Sequence, residues 1–269
     1  MPHTQHTPFA SLHAASRPFI LPNAWDAASA ALFAREGANA IATSSAALAW
    51  SLGYADGGAL PHGELIAAIA RIQRVVTIPL TVDLEAGYSD SPQAVAALVA
   101  EVAALGVAGI NLEDGAQAPG MLADKIAASR KALGGLPVFI NARTDVYLRG
   151  LAQGDAASAM TLERAALYRT AGADGLFVPG LSSVDDTMCI ASGIGLPLNL
   201  MLLPGMPAIQ SLFAAGARRF TAGPANFQTA YGHARALTHA LLEDHNTSGL
   251  FVNILAYDTM NALFSRECA

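Results

Sequence analysis

The stretch LTVDLEAGYSDSPQAVAALVAEVAALGVAGINLED, residues 80–114, decides the fold because it contains one complete strand–helix–strand unit. Its first residues alternate between apolar and polar side chains, which is the period-two pattern of a strand. Ser91 and Pro92 then stand where a helix N-cap and a first helical residue are preferred, and Gly106 stands where a helix ends. A second apolar run, residues 108–114, follows at once. Two strands joined through a helix predict a parallel pair.

This unit repeats along the chain. Eight apolar runs rich in strand-forming residues each precede an alanine-rich helical stretch, and they span residues 18–23, 39–45, 78–85, 108–114, 137–145, 174–180, 196–202 and 217–223. Strict alternation of strand and helix implies a parallel sheet, and the number of units predicts a single (β/α)8 TIM-type barrel domain over residues 1–269. A doubly wound sheet is the main rival. It usually has fewer strands, and no G-x-G-x-x-G motif follows the first strand.

Composition argues against several classes of protein. The net charge is −6 and the chain has no basic run, so we expect no binding to nucleic acid. Cys189 and Cys268 are far apart and form no disulfide framework, which favours a reducing, cytoplasmic setting. The first residues lack the pattern of a signal peptide. The longest apolar region, residues 94–110, carries Glu101 and is broken by Gly106, so it predicts a helix followed by a strand and no membrane span.

Polar side chains gather at the ends of the predicted strands. Asp83 and Glu85 lie two residues apart in the third strand, so both carboxylates are expected on one face, where they would repel each other. The other strand ends and their loops add Thr43, Ser44, Ser45, Asp56, Glu113, Asp114, Asn141, Arg143, Thr144, Asp145 and Asn199. Barrel enzymes place their active sites at these ends. Because Mg²⁺ prefers oxygen ligands, Asp83, Glu85 and Glu113 predict a metal site.

A purely structural role for these charges is the alternative. Arg143 could form an ion pair with Asp83 or Glu85, since networks that only stabilise a fold also gather charged side chains. Asn199 could simply be hydrogen-bonded within its strand. Polar groups at the ends of four strands favour a functional site over this alternative.

The absence of some residue types narrows the chemistry. The only lysines, Lys125 and Lys131, follow the fourth strand in a helical stretch, so a Schiff-base mechanism is not expected. No histidine lies at a strand end, and no nucleophile elbow or Walker loop is present. A metal, backbone donors near residues 44–46 and Arg143 remain. This set suits the binding of a small 2-oxo carboxylate and the stabilisation of its enolate.

At these residues the sequence resembles the isocitrate lyase/phosphoenolpyruvate mutase superfamily. The resemblance covers most of the barrel, and its motifs are LPNAWDAASA, TSSAALAWSLGYADG, VDLEAGY, GINLEDG, FINARTD, GADGLFVPG and PLNLM, in this order. The superfamily fold is a (β/α)8 barrel with an additional C-terminal helix that is commonly exchanged between subunits. Its members are usually tetramers and bind Mg²⁺, which chelates the 2-oxo acid or its enolate.

The resemblance also implies roles for individual residues. It places the metal-site acids on Asp56, Asp83, Glu85 and Glu113, around Mg²⁺ or Mn²⁺. It places the carboxylate and oxo oxygens of the substrate at the backbone of Ser44, Ser45 and Ala46, and a further substrate contact at Asn199. The family arginine falls on Arg143. Of these residues, Arg143 and Asp56 are the ones expected to be catalytic.

A segment that the barrel does not need, residues 246–269, follows the eighth unit. It is helical in pattern and carries several large apolar residues. From the residues alone, packing on its own barrel and docking on a neighbouring subunit are equally acceptable. The resemblance favours docking on a neighbour, and with it a homotetramer or a dimer.

The departures from the superfamily pattern concern the loop after the fourth strand. Superfamily lyases carry a K-K-C-G-H motif, whereas the segment EDGAQAPGMLADK, residues 113–125, has no Cys or His. Only Gln117 and Lys125 remain there as groups that could act on a phosphoryl group. Loss of CO₂ needs no such base, so we predict a Mg²⁺-dependent lyase that acts on an oxaloacetate-like acid. The alternatives are an enzyme that cleaves or rearranges a C–P bond and a non-catalytic barrel that binds 2-oxo acids.

Overall fold

The computed structural model describes residues 9–265, and their strands form a nearly closed (β/α)8 TIM-type barrel, as predicted. The strands are β1 (Phe19–Leu21), β2 (Asn23–Ala24), β3 (Ile41–Thr43), β4 (Leu80–Asp83), β5 (Gly109–Glu113), β6 (Phe139–Arg143), β7 (Gly175–Phe177), β8 (Leu198–Met201) and β9 (Ala217–Thr221). They pair in parallel in the order β1-β9-β8-β7-β6-β5-β4-β3-β2. Cys268 lies outside the described residues, and Cys189 is exposed.

Within residues 9–265 there are nine strands instead of the predicted eight, because the first predicted strand is divided at Pro22. Proline has no N–H group to donate to a neighbouring strand, so the pairing is interrupted there. β1 pairs with β9 and β2 pairs with β3. The Pro22 carbonyl accepts a hydrogen bond of 3.0 Å from the amide of Ala42, which keeps the two halves in line.

Most of the helices connect successive strands on the outside of the barrel, whereas the first precedes β1 and the last two follow β9. They are α1 (Phe9–Leu12), α2 (Ala27–Arg35), α3 (Ser45–Ser51), α4 (His62–Val75), α5 (Pro92–Ala104), α6 (Pro119–Leu133), α7 (Asp155–Ala171), α8 (Val184–Ile194), α9 (Ile209–Ala214), α10 (Ala225–Leu242) and α11 (Tyr257–Ala262). The predicted start of α5 is confirmed, because the Ser91 hydroxyl accepts from the amide of Ala94 and Pro92 is the first helical residue. The sequence analysis did not predict α1 or α3.

The side chains of each strand divide between two environments. In β4, Leu80 and Val82 belong to the apolar core between the strands and the helices. Thr81 and Asp83, which alternate with them, therefore face the interior of the barrel. Functional side chains at the strand ends can thus converge while the alternate residues hold the barrel together.

The amino-terminal end of the barrel is closed by aromatic rings. His13, which follows α1, stacks on Phe139 at a centroid distance of 4.1 Å with an interplanar angle of 5°. Phe9 meets the rings of Phe19 and Phe139 edge-on, each at 5.8 Å. Phe19 and Phe139 are the first residues of β1 and β6. The polar residues of the predicted site lie at the opposite end of the barrel, where the strands finish.

The residues after α10 form a 3₁₀ turn, Ser248–Phe251, and the short helix α11. Neither element contains a buried residue, and Phe251 and Tyr257 are 70% and 80% exposed. Docking of this segment on a neighbouring subunit stays a prediction. Among the described helices, none has both the length and the apolar character that a membrane crossing requires.

Candidate active site

The carboxyl-terminal ends of β4, β5 and β6 bring the predicted acids and the predicted arginine together. In the strand register, Asp83 lies opposite Asn111, and Glu113 lies opposite Arg143. Beside these ends is an open cleft of about 470 Å³, whose lining includes Glu85, Glu113 and the loop that follows β5.

Asp83, the last residue of β4, is buried and held by three groups. Its carboxylate accepts from the Ser45 hydroxyl at 3.1 Å and from the amide of Glu85 at 3.3 Å. Its own amide donates to the Thr43 hydroxyl at 3.0 Å. Burial raises the pKa of Asp83, and the positive charge of Arg143 opposes this effect. The carboxylate is therefore fixed in position in surroundings that disfavour its charge.

Glu85 does not continue the strand, which corrects the prediction that it shares a strand face with Asp83. β4 ends at Asp83, and Glu85 has a φ of 49°, in the left-handed region that few residues other than glycine adopt. The turn that contains it is closed by a hydrogen bond of 2.7 Å from Gly87 N to Leu84 O. The Glu85 carboxylate accepts from the Tyr88 hydroxyl at 3.0 Å. Burial, and then the charges of Asp83 and Asp56, raise the pKa of Glu85.

Arg143 pairs with neither Asp83 nor Glu85, so the ion pair considered as the structural alternative is absent. Its Nη1 lies 2.7 Å from Glu113 Oε2, and its Nε lies 2.7 Å from Asp145 Oδ1. Its Nη2 donates to Asp145 Oδ2 at 3.1 Å, so the Asp145 contact is bidentate. Burial raises the pKa of Glu113, and Arg143 opposes this. Of the ion pairs in the described part of the chain, none involves Asp83 or Glu85.

The carboxylate oxygens of Asp83 and Glu85 are ligands that suit a hard divalent cation such as Mg²⁺. Asp83 and Glu85 are buried carboxylates that repel each other and have no ion-pair partner within residues 9–265. In the same range no three His, Cys, Asp or Glu side chains form a group that could hold a metal ion. Mg²⁺ keeps several waters and needs only one or two protein carboxylates, so such a group is not required. A cation would remove the repulsion between these acids.

The sequence also predicts site residues at the start of α3 and in the turn that follows it: Ser44, Ser45, Ala46 and Asp56. Ser44 is the N-cap of α3 and accepts from Ala47 N at 3.3 Å, while Ser45 and Ala46 are buried in the first turn. Asp56 lies in an exposed turn, and its charge acts on Glu85.

Asn199, on β8, is buried in the barrel and does not line the cleft. Neither polar atom of its side chain has a partner among the described residues, so the local hydrogen bonding considered above is absent there.

Lys125, on α6, and Gln117, in the loop after β5, have structural roles that the sequence did not reveal. Lys125 is fully buried, and its Nζ donates to Ala86 O at 2.9 Å and to Gln117 Oε1 at 3.1 Å. Gln117 in turn donates to Asp90 at 2.6 Å. This arrangement ties the loop after β4 to the loop after β5, and it leaves Lys125 inaccessible to a ligand in the cleft.

Asp114 is likewise structural. It is fully buried and accepts from Arg164 Nη1 at 2.7 Å, from the Tyr168 hydroxyl at 2.6 Å and from Asp145 N at 3.0 Å. Its contacts to α7 and to the end of β6 are satisfied, which removes it from the candidate ligands. Neither Arg164 nor Tyr168 belongs to a sequence motif, so their contacts to Asp114 could not be predicted from the sequence.

The sequence analysis also missed two residues of the cleft, Tyr88 and Arg149. Tyr88 follows Glu85 by three residues, and Arg149 follows Asp145 by four, so each could have been suspected from its spacing to an acid. Burial and the Glu85 carboxylate raise the pKa of the Tyr88 hydroxyl. Tyr88 therefore acts as a hydrogen-bond donor to Glu85 and not as an anion.

The family model of phosphoenolpyruvate phosphomutase matches residues 9–242, which is most of the chain. The chain belongs to the phosphoenolpyruvate mutase family. The resemblance to the isocitrate lyase/phosphoenolpyruvate mutase superfamily, deduced from the motifs, is thereby confirmed. An uncharacterized protein of Mycobacterium tuberculosis (strain H37Rv) is 39% identical over 223 residues, covering 80% of this chain and 81% of the relative.

The chain is also similar to a protein named as an enzyme and to a solved structure. The oxaloacetate decarboxylase of Rhodopseudomonas palustris (strain HaA2) is 32% identical over 155 residues, which are 55% of this chain and 53% of that protein. A crystal structure from Burkholderia cenocepacia J2315, provisionally named a phosphonomutase, is 38% identical with a TM-score of 0.82, covering 86% of this chain and 97% of that one.

A solved structure of phosphonopyruvate hydrolase contains oxalate and Mg²⁺. It has a TM-score of 0.82 to this chain and covers 94% of it, and this chain covers 92% of the other. At 19% identity, this likeness shows the shared fold alone.

Proposed function

We propose that this member of the superfamily is a Mg²⁺-dependent carbon–carbon lyase that acts on a small oxaloacetate-like 2-oxo acid and passes through the enolate of pyruvate. One observation carries the proposal: the cleft is acidic, and the described residues that line it include no Cys, His or Lys. Such a lining suits cation binding and loss of CO₂ better than reactions that need a dedicated base or several positive groups.

The acids have a defined role in this account. Asp83 and Glu85 would bind the cation directly, and Glu113 and Asp56 would act on it through bound water. The bound cation would supply Lewis-acid stabilisation for the negative charge that develops on the enolate. Ser45 and Tyr88 hold the carboxylates of Asp83 and Glu85 in place through their hydroxyls. Fixed ligands avoid reorganisation during the reaction.

Arg143 has a second role, at the edge of the cation site. Its guanidinium is oriented by Glu113 on one side and by Asp145 on the other. We propose that it stabilises negative charge on the substrate from this fixed position. The backbone amides at the start of α3, near Ser44 to Ala46, would bind the carboxylate and oxo oxygens of the same substrate. Asn199, whose amide has no partner in the described chain, is a further substrate-side donor in this account.

C–P bond chemistry is the second candidate, and the similarity to the Burkholderia structure favours it. Phosphoryl transfer requires positive groups around three oxygen atoms. Lys125 is buried and bonded to Ala86 and Gln117, so it is not available for this purpose. The cleft geometry therefore supports the lyase more strongly than the phosphonate enzyme.

A substrate screen separates the two reactions. Purified protein would be incubated with oxaloacetate, phosphonopyruvate or 2-methylisocitrate, with Mg²⁺, Mn²⁺ or EDTA. Pyruvate would be measured through lactate dehydrogenase and phosphate by a colour assay. We expect metal-dependent pyruvate formation from oxaloacetate above the spontaneous rate. Phosphate release from phosphonopyruvate would support C–P chemistry instead, and metal-dependent binding without any turnover would support a non-catalytic barrel.

We also propose that chains associate as a homotetramer or a dimer through the segment from residue 246 onward. The supporting observation is a set of exposed apolar side chains after α10: Leu250, Phe251, Val252, Ile254, Leu255, Tyr257 and Phe264. Light scattering on the full chain should give a dimer or tetramer mass, and Phe251→Ser with Tyr257→Ser should shift it toward the monomer. A monomeric wild type would contradict this proposal.

A further inference from the structure

Arg149 is a cleft residue to which no function has been attached so far. It lies in the loop after β6, and its Nε donates to Asp145 Oδ2 at 3.2 Å. Its side chain is 48% exposed and contributes to the lining of the acidic cleft. It is the one cation among the described lining residues, which otherwise include the acids Glu85, Asp90 and Glu113.

The charge of Arg149 is only partly offset. Asp145, its single ion-pair partner, already receives two hydrogen bonds from Arg143 at 2.7 and 3.1 Å. One carboxylate is therefore shared between two guanidinium groups. Nη1 and Nη2 of Arg149 donate to no atom of the described residues, whereas all three nitrogens of Arg143 are used. A fork of two free donors remains at the cleft.

The space between Arg149 and the proposed cation site is open because residue 115 is glycine. A Cβ atom built on Gly115 would lie 3.8 Å from Arg149 Nη2 and 3.9 Å from Glu113 Oε1. The φ of Gly115 is 52°, a conformation that other residues rarely adopt. A ligand seated at the acids can thus reach the Arg149 fork with no side chain of residue 115 in between.

We propose that Arg149 determines substrate specificity by binding the distal carboxylate of a dicarboxylic 2-oxo acid, the carboxylate that is not adjacent to the oxo group. This inference rests on the proposed lyase function. A guanidinium with two free N–H edges matches a carboxylate in bidentate geometry, which a lysine ammonium cannot do. Without Arg149, the acids of the cleft would repel a substrate with two negative charges.

Binding of the distal carboxylate by Arg149 should affect KM and kcat differently. If the distal carboxylate is the group released as CO₂, its charge moves away from Arg149 as the bond breaks. The interaction then favours the bound substrate and not the transition state, so its loss weakens binding without slowing the chemical step. We expect Arg149→Gln to raise the KM for oxaloacetate at least tenfold. The kcat should not fall, because the contact stabilises the bound substrate more than the transition state.

The matched measurements use Arg149→Gln, Arg149→Lys and the control Arg71→Gln, which removes an exposed arginine on α4. Oxalate, a two-carbon dianion without the CH₂–COO⁻ group that carries the distal carboxylate of oxaloacetate, serves as a competitive inhibitor. Its inhibition constant should be the same in all four proteins, and Arg149→Lys should restore only part of the affinity for oxaloacetate. An unchanged KM in Arg149→Gln, or an equal weakening of oxalate inhibition, would overturn the inference.

A calorimetric comparison separates this inference from the lyase proposal. If the wild type shows no turnover, the lyase proposal fails, and oxaloacetate and pyruvate become binding probes in the presence of Mg²⁺. Tighter binding of oxaloacetate than of pyruvate, lost in Arg149→Gln, would still support the role of Arg149. Equal binding of both acids by the wild type, or no binding of either, would overturn it.

Discussion

Arg143 and Glu113 are register partners on adjacent strands, and their side chains meet in a partly buried ion pair of 2.7 Å. The same guanidinium holds Asp145 through Nε and Nη2. Arg143→Gln should therefore lower kcat/KM by about 10²–10³-fold. Because it leaves Glu113 without its cation and Asp145 with Arg149 alone, it should also destabilise the fold by about 3 kcal/mol.

Arg143→Lys is the second substitution to compare at this position. It keeps the charge but cannot contact both acids with one planar group, so we expect stability to recover more than activity. Steady-state kinetics and urea denaturation would measure the two effects. Full activity in Arg143→Lys would contradict the role given to the planar guanidinium.

Lys125 should matter for stability and little for catalysis. Lys125→Met removes the hydrogen bonds to Ala86 and Gln117, so the free energy of unfolding should fall by about 1–3 kcal/mol. The kcat of the lyase reaction should change by less than about fivefold, because the ammonium does not reach the cleft. Lys131→Met, an exposed position on the same helix α6, is the matched control. Loss of turnover with unchanged stability would assign Lys125 to the chemistry instead.

His13 should make the fold sensitive to acid. Burial, followed by the charge of Arg219, lowers its pKa from 6.5 to about 3. In the unfolded chain His13 binds a proton near pH 6.5, whereas in the folded chain it binds one only near pH 3. The free energy of unfolding therefore falls as the pH decreases through this window. The slope attributable to His13 is about 1.4 kcal/mol per pH unit.

The variant His13→Phe keeps an aromatic ring against Phe139 and removes the titrating group. Urea midpoints between pH 4.5 and 7.5 should fall less steeply in this variant than in the wild type. Parallel pH profiles for the wild type and His13→Phe would show that His13 is not the group that titrates.

Arg219 is a fully buried cation inside the barrel, and its pKa is lowered to about 9 by that burial. Its contact to Asn111 is long, at 3.5 Å, and its Nε and Nη1 have no partner among the described residues. Replacing a poorly compensated buried charge by an apolar residue is often neutral or stabilising by about 1–4 kcal/mol. Arg219→Met should therefore keep or raise the urea midpoint. A loss of more than about 2 kcal/mol would show that the guanidinium is better solvated than these contacts indicate.

Local patterns were sufficient to predict most of the fold. The cap at Ser91 and the proline at the first helical position are decided by neighbouring residues, and the structure confirms both. Apolar alternation likewise predicted β4 and its core residues. Pro22 divides a strand that the pattern treated as continuous, since its effect depends on which neighbour each half pairs with.

The site was less predictable because it depends on contacts between distant residues. The strand pattern extended through Glu85, whereas the tight turn closed by Gly87 bends the chain away after Asp83. The sequence offered Asp83 or Glu85 as an ion-pair partner of Arg143, whereas the register of β5 and β6 places Glu113 opposite it. Arg149 carries no motif, and its place in the cleft depends on the loop that contains Gly115.

The most direct test of the central claim is the initial rate of pyruvate formation from oxaloacetate as a function of Mg²⁺ concentration, measured side by side for the wild type and Asp83→Asn. The rate without enzyme is subtracted at each Mg²⁺ concentration, because the free cation also promotes the reaction. We predict a saturating dependence in the wild type that EDTA abolishes. In Asp83→Asn the rate should be at least about 100-fold lower at every Mg²⁺ concentration. A rate that does not depend on Mg²⁺, or that is the same in both proteins, would contradict a metal-dependent lyase at this acidic cleft.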